Sequence, residues 1–206
     1  MARKTKAEAQ LTRDAILDAA EETFREKGVS RTRLEDIAQR AGCTRGAVYW
    51  HFKNKSDVLM AMLDRATLPL FDSIRQLADT PQADPFGAWR AHLSESMRKI
   101  ENDRQQQNVC DILMNRCELT DDLQPVREME VQRKRFFMDT TARLLEQARQ
   151  AGQIDADTDV QAASLGIHAT IHGLICIWLR QPGQFRLHEA VDAFVDFLMR
   201  GLGAKR

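Results

Sequence analysis

Apolar residues recur along this chain at three- and four-residue steps and show no strand-like alternation, which commits it to helices. Between Lys6 and Lys27, Ile16, Leu17, Ala20 and Phe24 keep that spacing, and Gly28 is a natural stop. Thr32 opens a second helix with Glu35 three residues on, as in a capping box. Its inner face is Leu34, Ile37, Ala38 and Ala41, and Gly42 ends it. A short third helix follows Thr44, and Ser56 caps a fourth running to about Ala78. After a loop over Asp79–Asp84, helices are expected over Pro85–Asn102, Gln105–Cys117, Thr120–Ala151, Asp159–Arg180 and Leu187–Leu202. Only 5 prolines and 10 glycines punctuate the 206 residues, so the expected fold class is all-α, with about nine helices.

Zero formal net charge speaks at first against a polyanionic partner, but the charges are unevenly placed. Residues 1–56 hold 12 Lys+Arg against 8 Asp+Glu, and the remainder 18 against 22. A small basic segment joined to an acidic one suggests that only the first meets nucleic acid. The opening MARKTKAEAQ is charged rather than apolar, and the longest uninterrupted apolar run is Leu174–Leu179. Roughly 20 residues are needed to span a bilayer, so a soluble, cytoplasmic chain with no membrane partner is expected. Cys43, Cys110, Cys117 and Cys176 form no CxxC pair, which argues for reduced, buried thiols and neither metal nor other cofactor. Cys110 and Cys117 lie two helical turns apart, and no His, Asp or Gly-rich element stands at a diagnostic spacing. An enzyme is therefore not expected.

Residues 32–52, TRLEDIAQRAGCTRGAVYWHF, have the spacing of a helix-turn-helix, whose second helix enters the major groove of DNA. A helical wheel from Thr44 turns Ala47 and Val48 toward Leu34 and Ile37, and Arg45, Gly46, Tyr49 and Trp50 outward. The fork of Arg45 matches guanine O6 and N7, and Gly46 lets the backbone approach. Thr44 stands at the helix N-terminus, where N–H groups favour a phosphate. Tyr49, His51 and Lys55 supply donors that fix register on the backbone, with Thr32 and Arg33 beside them. Arg3, Lys4 and Lys6 read as a basic arm for a neighbouring groove. Trp50 and Phe52 also suit sealing this unit against the fourth helix, the better reading for Phe52.

The stretch TRGAVYWHFKNKSD, with the opening MARKTK, resembles the TetR family, and within it the AcrR-like repressors of multidrug efflux pumps. The resemblance is specific over residues 1–60 and continues at Asp84-Pro85, Arg116–Asp122 and His172–Leu179. It implies a helix-turn-helix domain over residues 1–55 and a ligand-binding and dimerisation domain over 56–206. It implies a homodimer joined by a four-helix bundle of the last two helices, on a pseudo-palindromic double-stranded DNA operator. Two apolar stripes suit that bundle, Ile171, Leu174, Ile175, Trp178 and Leu179, then Val191, Phe194, Val195 and Leu198; both equally suit burial within one subunit. By position, a pocket for small hydrophobic ligands or drugs would draw on Trp89, His92, Leu93, Ser96, Cys110, Leu113 and Met114. Phe137, Thr141, His168, Ile171, His172 and Ile175 would complete it, with Cys117 and Cys176 nearby. Control of a metabolic operon, a thiol switch at Cys43, or activation rather than repression stay open beside the efflux-repressor reading.

Overall fold

The computed structural model describes residues 6–118 and 120–202. Among them are nine α-helices and no strand: α1 (Lys6–Lys27), α2 (Leu34–Arg40), α3 (Arg45–His51), α4 (Lys55–Asp79), α5 (Pro85–Asn102), α6 (Arg104–Asn115), α7 (Gln124–Gln150), α8 (Val160–Arg180) and α9 (Leu187–Leu202), with one 3-10 turn at Asp121–Leu123. The all-α expectation holds, and so do most boundaries. The stretch expected to be helical from Thr120 instead begins with the 3-10 turn, and α6 stops at Asn115.

Two helices begin on caps other than those expected. Thr32 is buried and donates its hydroxyl to the Gly28 carbonyl at 2.8 Å. Asp36, not Glu35, closes the start of α2 by accepting the Arg33 N–H at 2.9 Å. At α4, Asn54 Oδ1 accepts the Asp57 N–H at 2.8 Å, while Ser56 is buried with an unpartnered hydroxyl. The two closures run in opposite directions: Asn54, before α4, reaches forward to the N3 amide, while Asp36, at N3 of α2, reaches back to the N-cap amide.

The chain divides into two compact units. The first comprises residues 1–66 and 108–129, so the expected boundary at 55/56 falls inside it. Its core gathers Ile16, Leu17 and Phe24 of α1, Leu34 and Ile37 of α2, Val48 of α3 and Leu59, Met62 and Leu63 of α4 around Val109, Ile112, Leu123 and Val126. Asn108 donates to Glu21 at 2.6 Å, and Val29 N–H to the Arg116 carbonyl at 3.0 Å, so the later segment is tied into the first by polar bonds as well.

The second unit comprises residues 67–107 and 130–206. Within it α9 packs along α5 and α8. Trp89, Leu93, Met97 and Ile100 of α5 are buried, as are Val191 and Val195 of α9. Arg90 pairs with Asp196 at 2.6 Å, and Ser94 donates to Asp192 at 3.0 Å. By length and composition alone, α8 is apolar enough to cross a bilayer, a property hidden from a count of uninterrupted apolar residues. Its Ile167, Ile171, Ile175 and Trp178 are nonetheless core residues.

Glu101, at the end of α5, holds the start of α9. It accepts the Leu187 N–H at 2.6 Å, meets His188 Nδ1, and lies 3.5 Å from Arg186, with only 6% of its side chain exposed. Burial pushes its pKa up, but hydrogen bonds from His188 and Leu187 and the charges of His188 and Arg186 outweigh this, leaving it below the ordinary 4.5. A carboxyl depressed in the folded state stabilises above its unfolded pKa, and the contribution disappears as pH falls through the folded value. Glu101→Gln should therefore lower stability by about 1–3 kcal/mol at neutral pH. In thermal melts the gap to the parent chain should close only below pH 4.5.

Candidate nucleic-acid interface

Helix α3 has seven residues and is built from both ends. Upstream, α2 closes with the Gly42 N–H on the Gln39 carbonyl and the Cys43 N–H on the Ala38 carbonyl, at 3.2 and 3.0 Å. That pair is a Schellman closure, and it requires the left-handed backbone of Gly42, φ +63°. The backbone of Cys43 is thus part of the turn, and its side chain is half-buried. Thr44 Oγ1 then accepts the Ala47 N–H at 3.1 Å, so its hydroxyl caps the helix while the residue remains exposed.

Burial sorts α3 as the wheel predicts. Val48 is fully buried and Ala47 partly so, while Arg45, Gly46, Tyr49 and Trp50 face solvent. Trp50 is 71% exposed and so does not seal the unit; Phe52, 4% exposed, does, with the Arg13 guanidinium 5.3 Å above its ring. His51 is half-buried, edge-on to Trp50 at 4.5 Å. Arg45 is fixed from two sides: Nε lies 2.9 Å from Glu35 Oε1, and the guanidinium carbon sits 5.2 Å over the Tyr49 ring. Sequence reasoning passed over Glu35 as a capping residue; its place one turn before Gln39 on an exposed face was the available signal.

The other expected contacts divide. Lys6 is exposed in the first turn of α1, Arg33 is exposed, and Arg3 lies outside the described residues. Thr32 is buried under α2 with its hydroxyl occupied, which withdraws it from the surface. Lys55 is withdrawn too: its ammonium bonds the Ser30 carbonyl at 3.2 Å and lies 3.5 Å from Asp122, with 17% of its side chain exposed. It was expected on a phosphate because its ammonium is a donor of the kind that fixes register on the DNA backbone. Here the turn Asp121–Leu123 gives it something.

The residues expected around a ligand fall in different compact units. Cys110, Leu113 and Met114 belong to the first, where Leu113 packs on its core. In the second, Trp89, Leu93, Ile171 and Ile175 are buried, and Ser96 donates to the His92 carbonyl at 2.8 Å. His92 and His168 are half-buried, and burial first of all pulls both pKa values down, aided by the charge of Lys99 for His92 and by His172 and Lys134 for His168. His168 lies 5.6 Å from the Phe137 ring and 6.2 Å from His172, itself exposed. Thr141 is wholly buried with an unpartnered hydroxyl.

The expected dimer residues also divide. Trp178, Val191 and Val195 are buried inside the chain, with Trp178 Nε1 donating to the Phe185 carbonyl at 3.1 Å, so they cannot meet a partner. Leu174, Phe194 and Leu198 are partly exposed. Among the described residues, the large apolar side chains exposed on these helices are instead Leu165, Ile177 and Phe197, off the stripes that periodicity picks out.

Comparison with known proteins places this geometry. The model of the bacterial regulatory proteins, tetR family, matches residues 16–62, and that of the MAATS-type transcriptional repressor C-terminal region matches 84–203. The probable HTH-type transcriptional regulator ArpR of Pseudomonas putida is 37% identical over 199 residues, 95% of this chain and 93% of that protein. The crystal structure of NalD, secondary repressor of the MexAB-OprM multidrug efflux pump in Pseudomonas aeruginosa, superposes with a TM-score of 0.85 at 35% identity, covering 96% of this chain and 98% of that one. A SmeT–triclosan complex superposes at 0.84 and 35% identity, covering 93% and 91%; SmeT represses the SmeDEF pump of Stenotrophomonas maltophilia.

Replacing Lys55 by Met should lower the melting temperature, at a cost of about 1 kcal/mol. The slope of log affinity for DNA against log salt should not change, whereas a lost phosphate contact would reduce it by about one.

Proposed function

The chain belongs to the TetR family of bacterial regulatory proteins and is homologous to repressors of multidrug efflux pumps, and from that premise we propose that it is a ligand-responsive repressor of an efflux operon. Residues 1–55 supply the DNA-reading surface, and 56–206 the ligand pocket and dimer contact. The carrying observation is that α3 buries Val48 and offers Arg45, Gly46, Tyr49 and Trp50 together to solvent. Arg45 reads guanine in the major groove, and exposed Arg33 and Lys6 lie against phosphate.

Two observations support the rest. Exposed Ile177 and Phe197 on the last two long helices suit a two-fold apolar contact, which would set two recognition helices on one pseudo-palindrome. The orphan hydroxyl of Thr141, one turn from Phe137 and its partner His168, is a buried polar group that a ligand would satisfy. The likeness to a triclosan-bound repressor favours a small hydrophobic compound. Such a ligand relieves repression only by binding the DNA-incompetent arrangement more tightly than the competent one.

A mobility-shift titration on the chain's own upstream DNA, with and without hydrophobic antimicrobials, tests this directly. The expected outcome is a specific complex that such a compound dissolves. In the same assay Arg45→Ala should lose about 1–3 kcal/mol on the specific duplex and little on random DNA; equal losses on both would remove Arg45 as a base reader. Phe197→Arg should yield a folded monomer by light scattering, whereas Val191→Arg should unfold the second unit.

A further inference from the structure

We infer that Glu35 is a specificity-determining residue, holding Arg45 for a base edge and away from phosphate; the inference rests on the DNA-reading function proposed above. Arg45 has two hydrogen-bonding sides. Its Nε lies 2.9 Å from Glu35 Oε1, and its Nη2 reaches only 3.4 Å to the Tyr49 hydroxyl. Glu35 therefore occupies the Nε side, and the terminal Nη pair is the side that spans guanine O6 and N7. Arg45 can engage a guanine without leaving the carboxylate.

A phosphate meets different conditions. It carries the same sign of charge as Glu35, so drawing Arg45 toward the DNA backbone leaves an unpaired carboxylate beside a polyanion. That penalty falls on a phosphate contact in every sequence alike, while the guanine contact, which keeps the pair intact, escapes it. Among the described residues Glu35 pairs with no other side chain, and the hydrogen bond that closes the start of α2 comes from Asp36 on the Arg33 N–H. Its side chain is 47% exposed and that of Arg45 64%, so the pair is set in water, weak enough to yield and near enough to orient.

The test uses the full-length protein and its Glu35→Gln, Arg45→Ala and double variants, with Gln keeping the shape of Glu and removing its charge. Each is titrated against a duplex that the parent chain enriches from a random-sequence pool, and against a scrambled duplex of equal composition. Glu35→Gln should tighten scrambled DNA about threefold while changing the enriched duplex little, so that the ratio between them falls. Its salt slope on scrambled DNA should steepen by about one, as Arg45 takes up a phosphate. With Ala at 45, the same substitution should leave the ratio alone.

Equal tightening on both duplexes, or an effect on the ratio that survives Arg45→Ala, would overturn the inference by showing that Glu35 acts on phosphate directly. A parent chain that enriches a sequence while Glu35→Gln keeps its full ratio overturns this inference alone. A parent chain that enriches none overturns the DNA-reading function, and this inference with it.

Discussion

A helix of seven residues cannot hold itself together in water, because nucleation consumes most of what so few hydrogen bonds return. Helix α3, proposed as the reading helix, stands only because Val48 is buried between α1 and α2 and because Gly42 lets α2 close immediately before it. Everything the chain presents to a nucleic acid hangs on that contact. Arg45, Tyr49 and Trp50 have fixed directions only as long as Val48 has a place to go. The ion pairs of α2 reinforce the platform: Arg40 reaches Glu22 at 3.2 Å and also Glu26, and Lys27 reaches Asp36 at 2.8 Å, all joining α2 to α1.

The same platform explains why the first compact unit is larger than a helix-turn-helix. The apolar faces of α1 and α4 are too broad for α2 and α3 to cover, and Val109, Ile112, Leu123 and Val126 complete the core. Polar bonds fix the register of that cover. Asn108 on Glu21, Arg116 on Val29 and Asp122 on Lys55 are three separate ties from residues 108–129 to the first segment. Arg65 of α4 adds a fourth link inside the unit, pairing with Asp18 of α1 at 2.8 Å. α4 continues past the unit's edge, and Pro69 interrupts its hydrogen-bond ladder three residues later, a local weakness in an otherwise long helix.

Helical periodicity was enough to read the number of helices, because apolar spacing is a local property of the chain. Gly28 and Gly42 were legible for the same reason, and both take the left-handed backbone expected of a helix stop. The facing of α3 was legible too, since a wheel over seven residues accumulates little angular error. Caps were not. Asn54 and Ser56 both precede an apolar run with acceptable chemistry, and only the backbone decides which oxygen meets the free amide. Lys55 was illegible for a deeper reason, because its partner Asp122 is distant in sequence. On α8 and α9 periodicity located an apolar stripe but not what it faces. Trp178, Val191 and Val195 fill the chain's own core, and the residues left over, Ile177 and Phe197, lie on the less regular flank.

Charge in the first segment carries a related lesson. Its excess of Lys+Arg over Asp+Glu suggests a basic surface, and only some of those cations are engaged within the fold. Arg40, Lys27 and Lys55 each hold a carboxylate of the same unit, Arg13 covers Phe52, and Arg45 is paired to Glu35. Lys6, Arg31, Arg33 and Lys53 are exposed and form no ion pair among the described residues. These unpaired cations supply a sequence-independent attraction to DNA, which scales with the number of phosphates neutralised. Because that attraction is the same for every sequence, preference must come from contacts to base edges. That places the burden on Arg45, and it gives a carboxylate beside Arg45 a use that an isolated acidic residue on a DNA-facing surface would otherwise lack.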